Sequence, residues 1–179
     1  MPDILLQPTS LVALSPSALH RLRDTAGPQV LQEAGYAAGE SVYRSFASWL
    51  PAVAGVDDPG ELAATRFAEV LARFFSTLGW GDVTVSQVSD AVVAVDSADW
   101  AEAQPGMGLQ YPSCAFTSGL LADFMTRLGD APLAVMEVEC RSRGDGRCRW
   151  LVGAPESLTA LYDHMAQGAD YQTILGGTA

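Results

Sequence analysis

The chain has 179 residues, of which 49% are apolar, and 21 acidic against 10 basic residues give it a formal net charge of -11. This length and composition predict a single globular domain over residues 1–179 with a sizeable core. All ten basic residues are arginines, so lysine-dependent phosphate-binding loops and Schiff-base chemistry are excluded. The acidic balance also argues against direct binding of nucleic acid.

The start of the chain lacks the features of a secretory signal, because its first basic residue is Arg21. No apolar run approaches the roughly 20 residues of a membrane span. The three cysteines are Cys114, Cys140 and Cys148, an odd number confined to one short segment, which does not suit a secreted disulfide scaffold. We therefore expect a cytoplasmic protein.

The first half of the chain is predicted to be helical. A serine and a proline open a short helix over residues 15–26. Over residues 29–50 the apolar positions recur every three or four residues, which is typical of an amphipathic helix, and Pro51 is expected to end it. Residues 58–61 read Asp-Pro-Gly-Glu, a helix-start signature that predicts a third helix over residues 58–78.

The second half of the chain alternates helices with two predicted β-hairpins. The strands are rich in β-branched residues and lie at residues 83–88, 92–95, 133–140 and 147–152. A loop at 99–112 precedes a helix that begins at or near Cys114, and Pro155 opens a last helix that ends near Gly168. This order predicts an α+β fold with a mainly antiparallel sheet of about four to five strands flanked by helices.

The most specific feature is the set Cys114, Glu137, Cys140 and Cys148. Three thiolates and a carboxylate complete a tetrahedral shell for zinc. Glu139 shares the strand parity of Glu137, so periodicity leaves both carboxylates as candidates. Glu137 and Cys140 are three residues apart and need a bulge or a strand end between them to face one site. The alternative is three buried cysteines in an ordinary core.

Four arginines lie between residues 141 and 149, in the same hairpin as two of the cysteines. A zinc ion with three thiolates and one carboxylate carries a net negative charge, which these arginines would balance. The alternative is that they belong to a solvated hairpin.

Three runs carry a resemblance to a known family: Cys114-Ala-Phe-Thr-Ser-Gly119, Val135-Met-Glu137-Val-Glu139-Cys140 and Gly144-Asp-Gly-Arg-Cys148-Arg-Trp150. They resemble the 4-vinyl reductase domain, a small-molecule-binding module of phenol- and xylene-responsive bacterial activators. The resemblance implies a domain core over about residues 10–170 with the fold of nitric-oxide-signalling and Golgi-transport ligand-binding proteins. It also implies a structural zinc held by three cysteines and one glutamate at this spacing, which selects Glu137 over Glu139.

The resemblance further implies a homodimer and an apolar cavity between the sheet and the helices. Close helix packing, between copies or within one chain, is allowed by the small residues Gly35, Ala38 and Gly39. The candidate cavity residues are large and apolar, and each also suits an ordinary core. They are Phe67, Leu71, Phe74, Trp80, Trp100, Met107, Tyr111, Phe116 and Trp150. Phenol-sensing relatives use a histidine in the middle of the domain, whereas His20 and His164 lie near the ends of this chain, so phenol itself is not expected.

We predict from these features a cytoplasmic, zinc-containing binding module for a small hydrophobic ligand, either aromatic or tetrapyrrole-like, acting as a sensor or carrier. A signalling output would require a separate effector protein. We assign no catalytic residue, and the sequence leaves open whether the chain is an enzyme. One alternative is an accessory protein or reductase of bacteriochlorophyll-type pigment synthesis. The other is an interaction scaffold resembling vesicle-tethering subunits, which should have a filled core rather than a cavity above roughly 300 Å³.

Overall fold

The structure is a computed structural model that describes residue 11 and residues 14–176. The helices in this part are α1 (Pro16–Ala26), α2 (Pro28–Ala54), α3 (Ala64–Thr77), α4 (Ala115–Gly129), α5 (Pro155–Ala166) and α6 (Tyr171–Gly176). The strands are β1 (Thr84–Ser89), β2 (Val92–Ser97), β3 (Ala134–Glu139) and β4 (Cys148–Gly153). The predicted α+β fold class is confirmed. Within the same residues, no helix is long and apolar enough to cross a bilayer.

The four strands pair in the order β1-β2-β4-β3, and every neighbouring pair is antiparallel. Side chains alternate between the two faces of the sheet, so Val95 and Trp150 point to one face while Ala94 and Leu151 point to the other. The first face packs against α2, α3 and α4, and the second packs against α5 and α6. Both faces are therefore covered.

Aromatic rings dominate the core between the sheet and α2, α3 and α4. Phe46, Phe74 and Phe124 are fully buried, and their ring centroids lie 5.2 to 6.4 Å apart. Trp100 and Trp150 meet edge to face at 5.3 Å beside them. Such ring pairs add packing energy beyond the area they bury, so this core fixes the helices against the sheet.

Helices α2 and α4 approach so closely that glycines are required at their crossing. A Cβ on Gly119 would lie 1.9 Å from the carbonyl oxygen of Gln32, and a Cβ on Gly35 would lie 2.0 Å from that of Phe116. Gly39 likewise faces α4, with Asp123 against it. The small residues of α2 are therefore used within the chain, where they position the start of α4.

Three local predictions differ from the structure. Helix α2 continues through Pro51 to Ala54, because a proline in the last turn removes few hydrogen bonds, and the helix ends at Gly55 in a left-handed conformation. Asp58 caps only a 3₁₀ turn, Pro59–Glu61, and an extended stretch separates that turn from α3. Helix α6 was not predicted from the sequence pattern.

Candidate metal centre and apolar cavities

Four potential ligands converge from three elements of the fold. Cys114 is the residue that precedes the first turn of α4, Glu137 lies in β3, Cys140 directly follows β3, and Cys148 begins β4. One donor atom from each residue lies within 4.8 Å of the donor atoms of the others. The sequence-predicted set is thus brought together at one buried point.

A bulge in β3 decides which glutamate joins the cluster. Glu137 pairs with Trp150 and Glu139 pairs with Arg149, so two steps along β3 match one step along β4. Because the extra residue changes the alternation of side chains, the two glutamates do not share an environment. Glu139 instead accepts hydrogen bonds from Arg147 and Tyr171, and Arg147 lies at 2.8 Å.

The distances between the sulfur atoms suit a tetrahedral metal site. Cys114 Sγ lies 3.8 Å from Cys140 Sγ and 3.9 Å from Cys148 Sγ. Ligand atoms at about 2.3 Å from a zinc ion, in a tetrahedron, lie about 3.8 Å from one another. A disulfide needs about 2.05 Å, and the three cysteines are free.

The carboxylate of Glu137 presents one oriented and one unpartnered oxygen. Its Oε2 accepts a hydrogen bond of 2.8 Å from the backbone N–H of Cys114, while its buried Oε1 has no partner among the described residues. Burial, followed by the charge of Cys140, raises the pKa of Glu137 from 4.5 to about 9. A cation would satisfy the free oxygen and would favour the ionised form, so the residue fits a metal ligand.

The thiols are also arranged for a cation. Hydrogen bonds with Cys140 and Cys148, then burial, raise the pKa of Cys114, whereas the hydrogen bonds from its two neighbours lower that of Cys140. Without a cation the thiols therefore share protons. Three thiolates and a carboxylate would hold a zinc ion in a closed shell, with no position left for a substrate or a nucleophilic water.

The turn between Cys140 and Cys148 is tightly hydrogen-bonded. The carbonyl oxygen of Cys140 accepts from Arg143 N at 2.9 Å and from Asp145 N at 3.2 Å. In return, Asp145 Oδ2 accepts from the N–H of Cys140 at 2.7 Å and forms an ion pair of 2.7 Å with Arg143. Asp145 thereby fixes the conformation in which the second cysteine is presented.

The other arginines of this hairpin have carboxylate partners outside the cluster. Arg147 pairs with Glu139 at 2.8 Å, and Arg149 makes two hydrogen bonds of 2.7 Å with Asp96. Tyr171 of α6 joins this network through both Arg149 and Glu139. The network ties α6 to the sheet, so direct charge balance of the cluster is not the main role of these two arginines.

Sequence reasoning missed the buried carboxylate of Glu102, which is only 1% exposed. It accepts from Phe116 N at 3.0 Å, from Thr117 N at 2.8 Å and from Thr117 Oγ1 at 2.5 Å. Trp100 Nε1 donates to the same hydroxyl at 2.7 Å, so the hydroxyl proton points to Glu102. Burial raises the pKa of Glu102 to about 7 although these hydrogen bonds lower it. Glu102 caps α4, and an acid in an apolar loop before a helix without a local cap was the available signal.

The loop that carries Glu102 is fastened to the turn between the cysteines. Gln104 N donates to Ser142 Oγ at 2.8 Å, and Leu109 N donates to Ser142 O at 3.0 Å. Ser142 is fully buried. The loop, the turn and the start of α4 therefore form one hydrogen-bonded unit around the cluster.

An apolar cavity of about 590 Å³, which we call the sheet cavity, lies between α3, α4 and the sheet. Phe67, Met125 and Val152 are among its apolar lining, and Thr65 and Gln87 are exposed polar residues at its edge. The arrangement suits a ligand with an apolar body and a neutral polar group at the opening.

A second cavity of about 420 Å³, the helix cavity, lies between α1, α2 and the start of α4. Its lining includes Leu19, Val42, Trp80, Phe116 and Leu120. It is separate from the sheet cavity, since the two have no lining residue in common.

The nine candidate cavity residues occupy three environments. Phe67 lines the sheet cavity, and Trp80 and Phe116 line the helix cavity. Leu71, Phe74, Trp100 and Trp150 are buried in the core, whereas Met107 and Tyr111 are exposed on the loop before α4. His20 donates to or accepts from the carbonyl oxygen of Glu102, His164 is exposed on α5, and neither histidine is part of the described lining of either cavity.

Comparison with known proteins places this site in a family. Residues 98–154, which include all four potential metal ligands, match the model of the vinyl-4-reductase domain. This match confirms the resemblance to the 4-vinyl reductase family. No curated protein matches the chain.

Solved structures share the fold at low sequence identity. The phenol-responsive sensory domain of the transcription activator PoxR, solved with phenol, is 18% identical, with a TM-score of 0.56 over 82% of this chain and 77% of that chain. Trafficking protein particle complex subunit 3 from Naegleria fowleri, covalently bound to palmitic acid, is 15% identical, with a TM-score of 0.52 over 79% of this chain and 82% of that chain. A vinyl-4-reductase family protein from Methanocaldococcus jannaschii is 18% identical, with a TM-score of 0.49 over 80% and 83% of the two chains.

Proposed function

Because residues 98–154 match the vinyl-4-reductase domain, we propose that this chain is a single-domain, zinc-containing binding module for a small hydrophobic molecule, acting as a sensor or carrier. The observation that carries the proposal is the sheet cavity, whose volume of about 590 Å³ lies well inside the usual range for small-molecule sites. The interaction scaffold is less favoured, because a scaffold should have a filled core.

The proposed zinc has a structural role. Cys114, Glu137, Cys140 and Cys148 would hold it, and the ion would join the start of α4 to the ends of β3 and β4. When bound, zinc supplies charge neutralisation and a rigid crosslink rather than a reaction centre, since its four positions are all occupied by protein atoms.

The lining of the sheet cavity indicates the chemistry of the ligand. Met125 and Val152 are buried apolar walls, and Thr65, Ser86 and Gln87 supply only neutral polar groups at the edge. An ionised ligand would lose its hydration without gaining an opposite charge. We therefore infer a neutral ligand with an aromatic or other apolar body, in keeping with the phenol in the PoxR sensory domain.

Calorimetric titration of the zinc-loaded protein with neutral aromatics such as toluene, indole and 2-naphthol tests the proposal. Ala68 lines the sheet cavity, so Ala68→Leu reduces its volume and should weaken binding by about tenfold or more. Ala37→Leu is the matched control, because Ala37 is exposed on α2. A protein that binds no member of the panel, and whose melting temperature the panel leaves unchanged, would support the scaffold instead.

Three further parts of the proposal concern the setting of the protein. A cytoplasmic location would keep the three free thiols reduced and available to a metal. A homodimer and a separate effector protein follow from the resemblance to sensor regions. Accessory or reductase activity in pigment synthesis stays an alternative, and no catalytic residue is assigned to it.

A further inference from the structure

We propose that the helix cavity is a second ligand site, which takes an uncharged, mainly aliphatic molecule with at most one hydroxyl or carbonyl group. The site is independent of the ligand proposed for the sheet cavity, because the two cavities have separate walls. A volume of about 420 Å³ is large enough for a small organic molecule.

Aliphatic side chains from four parts of the fold form most of the wall. Leu19 comes from α1, Val42 from α2, Leu78 from the end of α3 and Leu120 from α4. Leu19, Val42 and Leu120 are at most 5% exposed, so the floor of the cavity is deep inside the protein. A ligand that reaches this floor exchanges water for a continuous apolar surface.

The aromatic residues of the wall favour an aliphatic ligand over a flat aromatic one. Trp80 stacks on Phe116 with a centroid distance of 5.9 Å and an interplanar angle of 10°, and it stacks on Trp100 at 5.4 Å and 22°. The ring faces are thus already used by neighbouring rings. A ligand in the cavity meets mainly methyl groups and ring edges.

The polar groups of the wall exclude a charged ligand. No charged side chain belongs to the lining formed by the described residues. Ser41 contributes a hydroxyl that has no hydrogen-bond partner within that part of the chain, and it can meet one neutral polar group of a ligand. An ammonium or carboxylate would be buried without an opposite charge, at a large cost in free energy.

Polar contacts from the loop before α4 hold the walls in place without a ligand. The carbonyl oxygen of Glu102 contacts His20 Nε2 of α1 at 3.0 Å, and its carboxylate holds Phe116 N. The neighbouring Ala101 N donates to Trp80 O at 2.8 Å. Three walls are therefore fixed by one buried loop segment, and such a preformed cavity binds a ligand at a low ordering cost.

The test uses 1-octanol as the probe and the full zinc-loaded chain with ¹³C-labelled leucine methyl groups. We expect saturable shifts of the methyl signals of Leu19, Leu78 and Leu120, which line the helix cavity. Leu128 and Leu133 line the sheet cavity, and their signals should stay unchanged. Because each cavity has its own reporters, failure of this site and failure of the proposed function are distinguishable.

Two matched variants locate the binding. Ala38→Leu reduces the helix cavity and should weaken octanol binding by about tenfold or more, whereas Ala68→Leu reduces the sheet cavity and should change it less than about twofold. Ala101→Val serves in place of Ala38→Leu if that variant does not fold. The proposal is overturned if octanol produces no saturable shift, if the shifts occur at Leu128 and Leu133 instead, or if octanoate binds as tightly as octanol.

Discussion

Removal of the Glu102 carboxylate should destabilise the start of α4, which carries a metal ligand. Glu102→Ala takes away the acceptor of two backbone N–H groups, those of Phe116 and Thr117, in a buried setting. Each buried donor that loses its partner costs about 1–3 kcal/mol. The Thr117 hydroxyl can rotate to another acceptor, so we count only the two N–H groups and expect the free energy of unfolding to fall by about 4 kcal/mol.

The same carboxylate predicts a pH dependence with a defined sign. Because burial raises the pKa of Glu102 from 4.5 to about 7, the folded state holds its proton over a pH range in which the unfolded state releases it. The contribution of Glu102 to stability is therefore fully present below pH 4.5 and is lost as the pH rises through about 7. This loss amounts to about 3 kcal/mol, and Glu102→Gln should abolish it.

Urea unfolding followed by circular dichroism, at pH 5 and pH 8 with saturating zinc, measures both effects. The difference in stability between the natural protein and Glu102→Gln should shift by about 3 kcal/mol in favour of the variant as the pH rises, since proton release by the thiols is common to both proteins. Glu33→Ala, on the exposed side of α2, is the control for carboxylate loss. A Glu102→Ala protein as stable as this control, or a difference that does not change with pH, would refute the reasoning.

Three further predictions concern the scaffold of the metal centre. Gly119→Ala should lower the free energy of unfolding by more than about 3 kcal/mol, because its Cβ would lie 1.9 Å from Gln32 O, whereas Gly129→Ala should leave thermal unfolding nearly unchanged. Asp145→Asn should weaken zinc binding by about 10–100-fold in a chelator competition assay, since Asp145 fixes the turn between two of the cysteines, and equal affinity would contradict that role. Zinc affinity should rise with pH up to about 9, because the raised pKa of Glu137 makes zinc compete with a proton, and a flat profile would exclude this carboxylate as a ligand.

Much of the metal centre is predictable from the sequence, because short-range geometry brings its residues together. Cys140 and Cys148 flank one turn, and Cys114 precedes a helix that packs on the same sheet. The choice of glutamate is different. Glu137 and Glu139 have the same parity in a regular strand, and only the bulge between them separates their environments. A bulge depends on pairing with β4, so strand periodicity does not reveal it.

Features set by tertiary packing were less accessible. Pro51 lies inside α2 because the following turn closes at Gly55, and Asp58 caps a 3₁₀ turn rather than a helix. The role of Glu102 depends on contacts with a helix that starts 13 residues later in the chain. The same holds for the cavities, since an aromatic residue such as Trp150 fills the core or lines a pocket according to neighbours distant in sequence.

Metal analysis by mass spectrometry of protein purified under reducing, chelator-free conditions tests the metal centre most directly. The four-ligand cluster predicts about one zinc ion per chain. Cys148→Ser removes one thiolate and should lower the zinc content sharply, and the decrease should be accompanied by a lower melting temperature. A natural chain that is folded and free of metal, or a Cys148→Ser chain that retains a full equivalent of zinc, would contradict the account.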